Sequence, residues 1–408
     1  MGGSYGLLGE RLGHSYSPAI HATLADYDYR LYEVPREELD AFLTRREFDG
    51  LNVTIPYKKA VIPYCAALSP IAAELGSVNV LLRRPDGTLL GDNTDAYGFA
   101  GLVRRSGIDP AGKKALVLGS GGASATVCAV LRQLGAADVT VISRSGPDNY
   151  ENLDRHADAE LIVNATPVGM FPGNGASPVD LERFPHCAGV LDVVYNPART
   201  ALLLQAEARG IPCAGGLYML AAQGKRAAEL FLDKAIDDAE TDRVCAMLSR
   251  EMENIILIGM PGCGKTTVAA ALGEALHRPV LDSDEAVERA AGRSIPEIFA
   301  EGGEAAFRAL ETAALAELGK RSGVILATGG GCVTRRENYP LLHQNGRIFW
   351  LRRDIEKLPT AGRPISQSRD LADLSREREA LYRAFADRSI DNNGAVESTA
   401  AQILEAIE

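Results

Sequence analysis

The segment Gly259-Met-Pro-Gly-Cys-Gly264-Lys265-Thr266 constrains the fold most, because it fits G-x-x-x-x-G-K-[ST] at every fixed position. It follows the apolar run 254–258 and precedes a helical pattern. In such a strand–loop–helix context, backbone amides wrap phosphate groups. The sequence therefore predicts that Gly262, Gly264, Lys265, Thr266 and Thr267 bind a nucleoside triphosphate, with the Thr266 hydroxyl also binding Mg²⁺.

A second glycine-rich turn lies in the first half of the chain, after the apolar run 115–118. It consists of Gly119, Ser120, Gly121, Gly122 and Ala123 and opens a helical pattern, as in dinucleotide-binding folds. The next predicted strand, 138–142, ends in Ser143, Arg144 and Ser145. NAD enzymes place an acidic residue near this point to hold the ribose 2′-hydroxyl, whereas a guanidinium favours a 2′-phosphate. NADP is therefore the expected cofactor of this half.

Length and composition indicate several α/β domains. The 408 residues are 46% hydrophobic and 24% charged, as in soluble globular proteins of roughly two to three domains. A formal net charge of −11 argues against a nucleic-acid partner. Seven dispersed cysteines, no signal-like segment and no long apolar run lead us to expect a cytoplasmic protein without a membrane partner. The oligomeric state stays open.

Four polar, glycine-containing turns follow apolar runs in the first 100 residues. They are Gly13-His-Ser15-Tyr-Ser17, Gly50-Leu-Asn52-Val-Thr54-Ile-Pro-Tyr-Lys58, Gly76-Ser-Val-Asn79 and Gly91-Asp-Asn93-Thr-Asp95. Their hydroxyls and amides suit a polyhydroxylated ligand, and one lysine with one aspartate suits acid–base chemistry where a hydride is exchanged. Each alone could be an ordinary turn, because Asn, Asp, Gly and Ser dominate turns.

Together these motifs resemble the shikimate dehydrogenase family over about residues 4–234, with two later segments, Asn164-Ala-Thr166-Pro-Val-Gly-Met170 and Gly216-Leu-Tyr-Met-Leu-Ala-Ala-Gln223. The resemblance implies a substrate lobe (1–100), a Rossmann-like NADP lobe (101–215) and a helix (216–240) that returns to the substrate lobe. The implied reaction is NADPH-dependent reduction of 3-dehydroshikimate to shikimate.

The same resemblance implies roles for individual residues. Ser15 and Ser17 are expected to bind the substrate carboxylate, and Thr54, Asn79 and Gln223 its ring hydroxyls. Lys58 and Asp95 are expected to be the catalytic pair, and Tyr195 is a weaker candidate for a substrate contact. Asn164 and Thr166 join the expected cofactor-binding residues, which are otherwise Gly119 to Ala123 and Ser143 to Ser145.

Two departures from the family pattern stand out. The stretch between Arg144 and Asn164 is shorter than is usual, which predicts a trimmed nucleotide lobe and leaves the second 2′-phosphate contact open. The family pattern Gly-Ala-Val-Asn-Thr is replaced by Gly76-Ser-Val-Asn79-Val80, which keeps the Asn.

The C-terminal half adds charged and glycine-rich segments to the phosphate loop. Asp282, after a short apolar run, is predicted to hold Mg²⁺ through water, and Asp284 to orient an attacking hydroxyl. Helical spacing presents Phe299, Gly302-Gly-Glu304 and Phe307-Arg308, and Gly329-Gly-Gly331 offers free amides. Gly362-Arg363-Pro364 lies in a polar stretch typical of a lid. Arg308, Arg363 and Arg378 supply the positive field that an anionic substrate requires in an acidic protein.

In this order the motifs resemble shikimate kinase over about residues 254–408, after a domain boundary near 249–253. The resemblance implies a three-layer α/β/α fold like that of nucleoside-monophosphate kinases, and phosphorylation of shikimate at its 3-hydroxyl by ATP with Mg²⁺. It implies that Asp284, Arg308, Gly330 and Arg378 bind shikimate and that Lys265 and Arg363 stabilise the transferring group. The family's arginine just upstream of Arg363 is missing, which leaves Arg352 or Arg353 as candidates to stack on adenine.

We therefore expect an α/β chain with two enzyme activities, in which the product of the first half is the acceptor of the second. We also expect two independent sites linked by free diffusion. One alternative is that a half, most readily the trimmed dehydrogenase, is a catalytically weak binding or regulatory module. Another keeps the fold but changes the ligands to quinate, NAD or a different polyol; Ser15, Ser17 and Arg144, with the paired arginines 308 and 378, argue against it.

Overall fold

The computed structural model describes residues 3–13, 15–358 and 371–407. The chain divides into two compact units. Unit 1 comprises Met1–Met170, Ala176–Tyr195 and Leu202–Met247, and unit 2 comprises Phe171–Gly175, Asn196–Ala201 and Leu248–Glu408. The sequence places a boundary near 249–253, whereas the division falls within a helix that continues to Met252.

Unit 1 begins with a mixed six-stranded sheet in the order β2-β1-β3-β5-β6-β4. Its strands are β1 (Ser4–Gly9), β2 (Asp28–Glu33), β3 (Gly50–Val53), β4 (Ala67–Leu68), β5 (Val80–Arg83) and β6 (Leu89–Asp92). The helices of this part are α1 (Ser17–Leu24), α2 (Leu39–Arg45), α3 (Pro70–Leu75) and α4 (Asp95–Ser106). The predicted polar turns follow β1, β3, α3 and β6, so the fold brings their side chains to neighbouring strand ends.

The second sheet of unit 1 is parallel, with the order β11-β10-β9-β7-β8. Its strands are β7 (Lys114–Leu118), β8 (Asp138–Ile142), β9 (Leu161–Asn164), β10 (Gly189–Asp192) and β11 (Cys213–Ala214), and its helices include α5 (Gly122–Gln133) and α6 (Ala201–Ala208). Chain order reverses between β8 and β9 around β7. Ligands of open α/β sheets bind at such a switch point, beyond the carboxyl ends of the strands.

The nucleotide sheet is short on one side. The common dinucleotide-binding order places two further strands beyond the first strand on that side, whereas here β8 is the sheet edge. Between β8 and β9 the chain forms only a 3₁₀ turn, Leu153–His156. His156 closes this segment by an Nε2–Asp148 Oδ1 contact of 2.8 Å. The shortened stretch after Arg144 therefore corresponds to a missing strand and helix.

Two helices complete unit 1, α7 (Leu217–Leu232) and the first part of α8 (Ala239–Met252). Helix α7 packs against α1 and α4. Its buried Lys225 ammonium contacts Glu229 at 2.9 Å and Asp238 at 2.7 Å. Burial lowers the pKa of Lys225, but hydrogen bonds to Asp238 and Glu229 outweigh it, so the pKa lies above its ordinary value. The buried Lys225 charge is therefore paired both within α7, by Glu229, and with the segment after α7, by Asp238.

Unit 2 is built around a parallel sheet in the order β13-β14-β12-β15-β16. The strands are β12 (Asn254–Ile258), β13 (Val280–Asp282), β14 (Ile325–Ala327), β15 (Gly346–Arg352) and β16 (Arg388–Asp391). The helices are α9 (Lys265–Leu276), α10 (Ser283–Ala291), α11 (Ile295–Leu318), α12 (Asn338–His343), α13 (Leu371–Phe385) and α14 (Val396–Ile407). Strand β12 is buried along its whole length, which is why its last four residues, 255–258, form an unbroken apolar run.

Two local features of unit 2 differ from the sequence pattern. Gly303 has φ 68° and ψ −170°, so α11 is interrupted where helical spacing predicts a continuous face. The turn Gly329–Gly331 was expected to offer free amides, whereas the Gly329 N–H donates to Ser283 Oγ at 2.8 Å. Within the described ranges, no helix has the length and apolarity needed to cross a membrane.

Candidate active sites

The residues predicted from the dispersed motifs of the first half line one cavity of about 490 Å³ in unit 1. The cavity also includes Ala123, in the first turn of α5, so it extends to the glycine-rich turn. The predicted residues that line it are Ser15, Ser17, Thr54, Lys58, Asn79, Asp95, Tyr195 and Gln223.

A lysine–aspartate ion pair lies in this cavity. Lys58 Nζ is 2.6 Å from Asp95 Oδ2, and the two side chains are 28% and 16% exposed. Asp95 begins α4, where the helix dipole favours a carboxylate. Its backbone N–H donates to Asn93 Oδ1 at 3.0 Å, and Asn93 is buried with its amide donating to Ser77 O. Asn93 therefore fixes the loop that presents Asp95.

Asn79 is almost fully buried at the edge of the cavity. Its Oδ1 accepts from the backbone N–H of Thr94 at 2.7 Å, and its Nδ2 lies 3.1 Å from Thr94 Oγ1. Besides lining the cavity, it supports the same loop that carries Asp95.

An aromatic cluster underlies the cavity and was not predicted. Tyr29 donates its hydroxyl to Asn52 Oδ1 at 2.8 Å, and Asn52 lines the cavity. His21 stacks on Tyr29 with ring centroids 4.0 Å apart. Burial lowers the pKa of His21 to about 3, so this ring is neutral at physiological pH and serves packing. The sequence indicated only that Asn52 belongs to a polar turn, Gly50-Leu-Asn52. Its contact with Tyr29 joins distant parts of the chain and was therefore not predicted.

The glycine-rich turn has the shape of a phosphate site. Gly119 has φ 104°, and a Cβ there would lie 2.7 Å from Thr166 Cγ2. A Cβ at Gly121 or Gly122 would meet nothing within 4 Å, so these exposed residues face open space at the N-terminus of α5. Backbone amides there are free to receive a pyrophosphate.

Arg144 is exposed at the end of β8, between Ser143 and the exposed Ser145. This is the position at which a ribose substituent is recognised in dinucleotide folds. Its guanidinium is also close enough to Tyr150 to oppose the burial that raises the pKa of that phenol. The segment can thus offer a cation and hydroxyls to a 2′-phosphate.

Asn164, one of the expected cofactor-binding residues, makes its hydrogen bonds within unit 1. It is fully buried, and its Nδ2 donates to Asp192 Oδ1 at 3.0 Å and to Val168 O at 3.2 Å. Its Oδ1 accepts from both the backbone N–H and the hydroxyl of Thr166, at 3.0 and 2.7 Å. The pair holds the loop after β9 against Gly119, and the contact of Asn164 with the cofactor stays a prediction.

The phosphate loop of unit 2 opens into a cavity of about 780 Å³. Arg363 and the predicted lid lie outside the described residues. The predicted residues that line the cavity are Gly262, Gly264, Lys265, Thr266, Thr267, Asp282, Asp284, Arg308, Gly330 and Arg378.

Lys265 and Thr266 lie at the N-terminus of α9. The Lys265 ammonium is buried and donates to the carbonyls of Gly259 and Met260, at 2.9 and 3.0 Å. The Thr266 hydroxyl donates to Asp282 Oδ2 at 3.1 Å. No group of three or more His, Cys, Asp or Glu side chains in the described ranges forms a metal site. A cation beside Thr266 and Asp282 would therefore draw other ligands from phosphate and water, as Mg²⁺ commonly does.

The surroundings of Asp284 change the pKa of its carboxylate. Its backbone N–H donates to Asp282 Oδ1 at 2.8 Å, while its own Oδ1 is buried with no hydrogen-bond partner. Burial, followed by the charges of Asp282 and Glu311, raises the pKa of Asp284 to about 6. A carboxylate with this pKa is suited to accept a proton near neutral pH.

Arg308 is held by acidic residues that were not predicted to pair with it. Its Nη1 donates to Glu311 Oε2 at 2.7 Å and its Nη2 to Glu304 Oε1 at 3.2 Å. Glu311 is fully buried, and its Oε1 has no partner. Its spacing from Arg308, i to i+3, is the one signal that could have revealed it.

The three-glycine turn is packed too closely for any side chain. A Cβ at Gly331 would overlap the Arg308 guanidinium, and one at Gly329 would lie 2.7 Å from Asp284 Oδ1. The Gly330 carbonyl accepts from Arg378 Nη1 at 3.1 Å and from the buried hydroxyl of Tyr382. Both donors lie on α13, which therefore fixes the turn. The sequence pattern assigned no role to Tyr382.

Comparisons with known proteins match the two halves of the chain to two different families. The family model "shikimate dehydrogenase substrate binding domain" matches residues 7–81, and "shikimate kinase" matches residues 261–408. A shikimate dehydrogenase (NADP(+)) from Clostridium beijerinckii is 31% identical over 268 residues, covering 61% of this chain and 99% of the relative.

Two solved structures are similar over the same share of the chain. A shikimate 5-dehydrogenase from Thermus thermophilus, in complex with NADP(H) and shikimate, is 35% identical with a TM-score of 0.54 and covers 60% of this chain and 98% of its own. A quinate dehydrogenase from Corynebacterium glutamicum, in complex with NAD, is 28% identical with a TM-score of 0.54 and covers 60% and 97%.

Proposed function

The chain belongs to the shikimate dehydrogenase family and carries a shikimate kinase domain after it, and from this premise we propose that it catalyses two consecutive reactions. The first is reduction of the ketone of 3-dehydroshikimate by NADPH and a proton, giving shikimate and NADP⁺. The second transfers the γ-phosphate of ATP to the 3-hydroxyl of shikimate, giving shikimate 3-phosphate and ADP. The observation that carries the proposal is that the predicted substrate-binding and catalytic residues of the first half line one cavity of unit 1, and that those of the second half that the structure describes line one cavity of unit 2.

The residues of the first half fit NADP(H). Gly121 and Gly122 leave room for a pyrophosphate at the start of α5, and Arg144 offers a cation at the end of β8. Ala123 lies in both the turn and the substrate cavity. When bound, NADPH supplies the hydride for the ketone carbon.

Lys58 and Asp95 perform the proton chemistry. The Lys58 ammonium donates a hydrogen bond to the ketone oxygen and transfers a proton to it as the alcohol forms. Asp95, 2.6 Å from Nζ, orients the ammonium. Ser15 and Ser17 bind the carboxylate, while Thr54, Asn79 and Gln223 bind ring hydroxyls at the other walls.

The kinase cavity fits ATP with Mg²⁺. Thr266 and Asp282 offer a hydroxyl and a carboxylate 3.1 Å apart, an oxygen pair suited to Mg²⁺ that also binds phosphate and water. Mg²⁺ neutralises phosphate charge when bound. Lys265 exchanges its two loop carbonyls for phosphate oxygens and stabilises charge on the transferring group.

Asp284 and the arginines act on shikimate. Asp284 accepts the proton of the attacking 3-hydroxyl, for which a pKa of about 6 is well placed. Arg308 and Arg378 bind the shikimate carboxylate, and Gly330 also contacts shikimate. Glu304 and Glu311 hold Arg308 in a fixed orientation for this contact.

A two-stage assay on the purified chain tests the proposal. Supplying 3-dehydroshikimate and NADPH is expected to lower nicotinamide absorbance with formation of shikimate. Adding ATP and Mg²⁺ is expected to give ADP and shikimate 3-phosphate in equal amounts. Absence of either product from its stage would contradict the corresponding half of the proposal.

A second candidate keeps the fold but changes the ligands of the first half. The missing strand beyond β8 removes structure around the 2′-phosphate position, and one structural neighbour is a quinate dehydrogenase in complex with NAD. NADH is therefore to be tried as the reductant of 3-dehydroshikimate, and the oxidation of quinate by NAD⁺ is to be measured beside the oxidation of shikimate by NADP⁺. A higher kcat/KM with quinate and NAD than with shikimate and NADP would favour this candidate.

A further inference from the structure

Arg353 is a cation of the kinase cavity that has no assigned role. It follows β15 directly and lines the cavity together with the phosphate loop. Its Nη1 lies 3.6 Å from the position that a Cβ on Gly264 would occupy. The guanidinium therefore reaches the phosphate loop from the side of β15.

The neighbouring Arg352 is placed differently. Its guanidinium carbon lies 5.7 Å from the ring centroid of Trp350, and the side chain is exposed. It is absent from the residues lining the cavity. Of the two arginines that the sequence left open, only Arg353 lies beside the loop that binds phosphate.

Arg353 also has unsatisfied hydrogen-bonding capacity. Its Nε is buried without a partner, and no ion pair joins it to an acidic side chain among the residues that the structure describes. The nearby Lys357, in contrast, contacts Asp354 at 3.3 Å. A partly buried guanidinium without a carboxylate partner is costly unless an anionic ligand binds it, and its planar donors match phosphate oxygens.

We propose that Arg353 binds the polyphosphate of the nucleoside triphosphate at the phosphate loop. This proposal rests on the kinase half of the proposed function, which it deepens by naming a nucleotide-binding residue. Arg308 and Arg378 lie around Gly330 and Gly331, so they serve the acceptor side of the cavity. Arg353 supplies positive charge on the Gly264 side.

Calorimetric titration of the full chain tests the proposal, with MgATP and inorganic tripolyphosphate as separate probes. Arg353→Gln is expected to raise Kd for both probes about 10- to 100-fold, because it removes charge-assisted hydrogen bonds to phosphate. The matched control, Arg352→Gln, is expected to bind both as wild type does. Arg353→Lys keeps the charge and is expected to restore part of the affinity, with a steeper salt dependence than that of Arg353→Gln.

Three results would overturn the assignment. Wild-type affinity of Arg353→Gln for MgATP would exclude the contact. A loss for MgATP without a loss for tripolyphosphate would mean that Arg353 acts on the base instead. Equal losses in Arg353→Gln and Arg352→Gln would indicate a general effect on charge or folding. Fluorescence of Trp350, the only tryptophan, monitors folding of unit 2, and Arg353→Met supplies a second neutral variant if Arg353→Gln unfolds.

Failure of this proposal is distinguishable from failure of the proposed function. The titrations need no acceptor, so they report on Arg353 even if shikimate is not phosphorylated. Phosphorylation of shikimate by wild type, together with unchanged MgATP binding by Arg353→Gln, would leave the proposed function intact and reject the role of Arg353.

Discussion

Replacing Asp284 with Asn is expected to stabilise unit 2 while removing kinase activity. Asp284 Oδ1 and Glu311 Oε1 are both buried without partners, and both lie within 2.7 Å of the position that a Cβ on Gly329 would occupy. Asp282 adds a third negative charge nearby. An Asn side chain at position 284 removes one of these charges and provides an N–H that can donate to Glu311.

The pKa of Asp284 sets the magnitude. Its pKa is raised from the ordinary 3.8 to about 6. At about 1.4 kcal/mol per pKa unit, holding the charged form costs the folded state roughly 3 kcal/mol at most. Because the carboxyl pKa is raised, the free-energy cost of the charged form is fully present above about pH 6. This cost decreases at lower pH, where the folded protein binds the proton. The gain from Asp284→Asn is therefore largest at pH 8 and falls to about half at pH 5.

Urea unfolding at the two pH values, followed by Trp350 fluorescence, measures this gain for unit 2. Kinase kcat is expected to fall about 10²- to 10⁴-fold, because an amide cannot accept the proton of the hydroxyl. Dehydrogenase activity of the same chain is the internal control and is expected to stay unchanged. A variant that is less stable than wild type at pH 8, or equally stable, would refute the reasoning and show that Arg308 and Lys265 already compensate the charge.

Three further substitutions test other parts of the sites. Arg144→Ala is expected to raise KM for NADPH about 10- to 100-fold and to leave KM for NADH unchanged in steady-state assays; equal effects on both coenzymes would contradict a 2′-phosphate contact. Tyr382→Phe removes a hydrogen bond to the Gly330 carbonyl, so KM for shikimate in the kinase assay is expected to rise about 2- to 10-fold with little change in KM for ATP, and unaltered shikimate KM would reject this role. Gly331→Ala places a Cβ on the Arg308 guanidinium and is expected to abolish shikimate binding but not MgATP binding in calorimetric titrations, whereas retained shikimate affinity would show that Arg308 moves freely.

Local patterns were sufficient to predict the elements that carry both nucleotide sites. The apolar run of β12 and its loop specify a buried strand and a helix N-terminus within eleven residues, so no distant contact is needed to recognise them. The Gly119 turn and β8 were predicted for the same reason. The family resemblances add residue roles that sequence spacing alone does not contain. The roles of the dispersed substrate-binding residues came from these resemblances.

Residues whose roles depend on tertiary contacts were not predictable in this way. Glu311 accepts a hydrogen bond from Arg308, and Tyr382 donates one to the Gly330 carbonyl. Neither contact is evident from the sequence alone. Asn164 was predicted to bind the cofactor because of its motif, and the motif gave no indication of its bonds to Asp192 and Thr166. The break in α11 at Gly303 was not predicted either, because helical spacing continues on both sides of it.

The most direct test of two working sites on one chain is to inactivate each half separately. Lys58→Ala is expected to abolish NADPH oxidation with 3-dehydroshikimate and to spare ADP formation with shikimate, and Lys265→Ala is expected to do the reverse. An equimolar mixture of the two variants is then expected to convert 3-dehydroshikimate, NADPH and ATP to shikimate 3-phosphate through shikimate free in solution. Loss of both activities from either single change, or no shikimate 3-phosphate from the mixture, would contradict two independent catalytic sites.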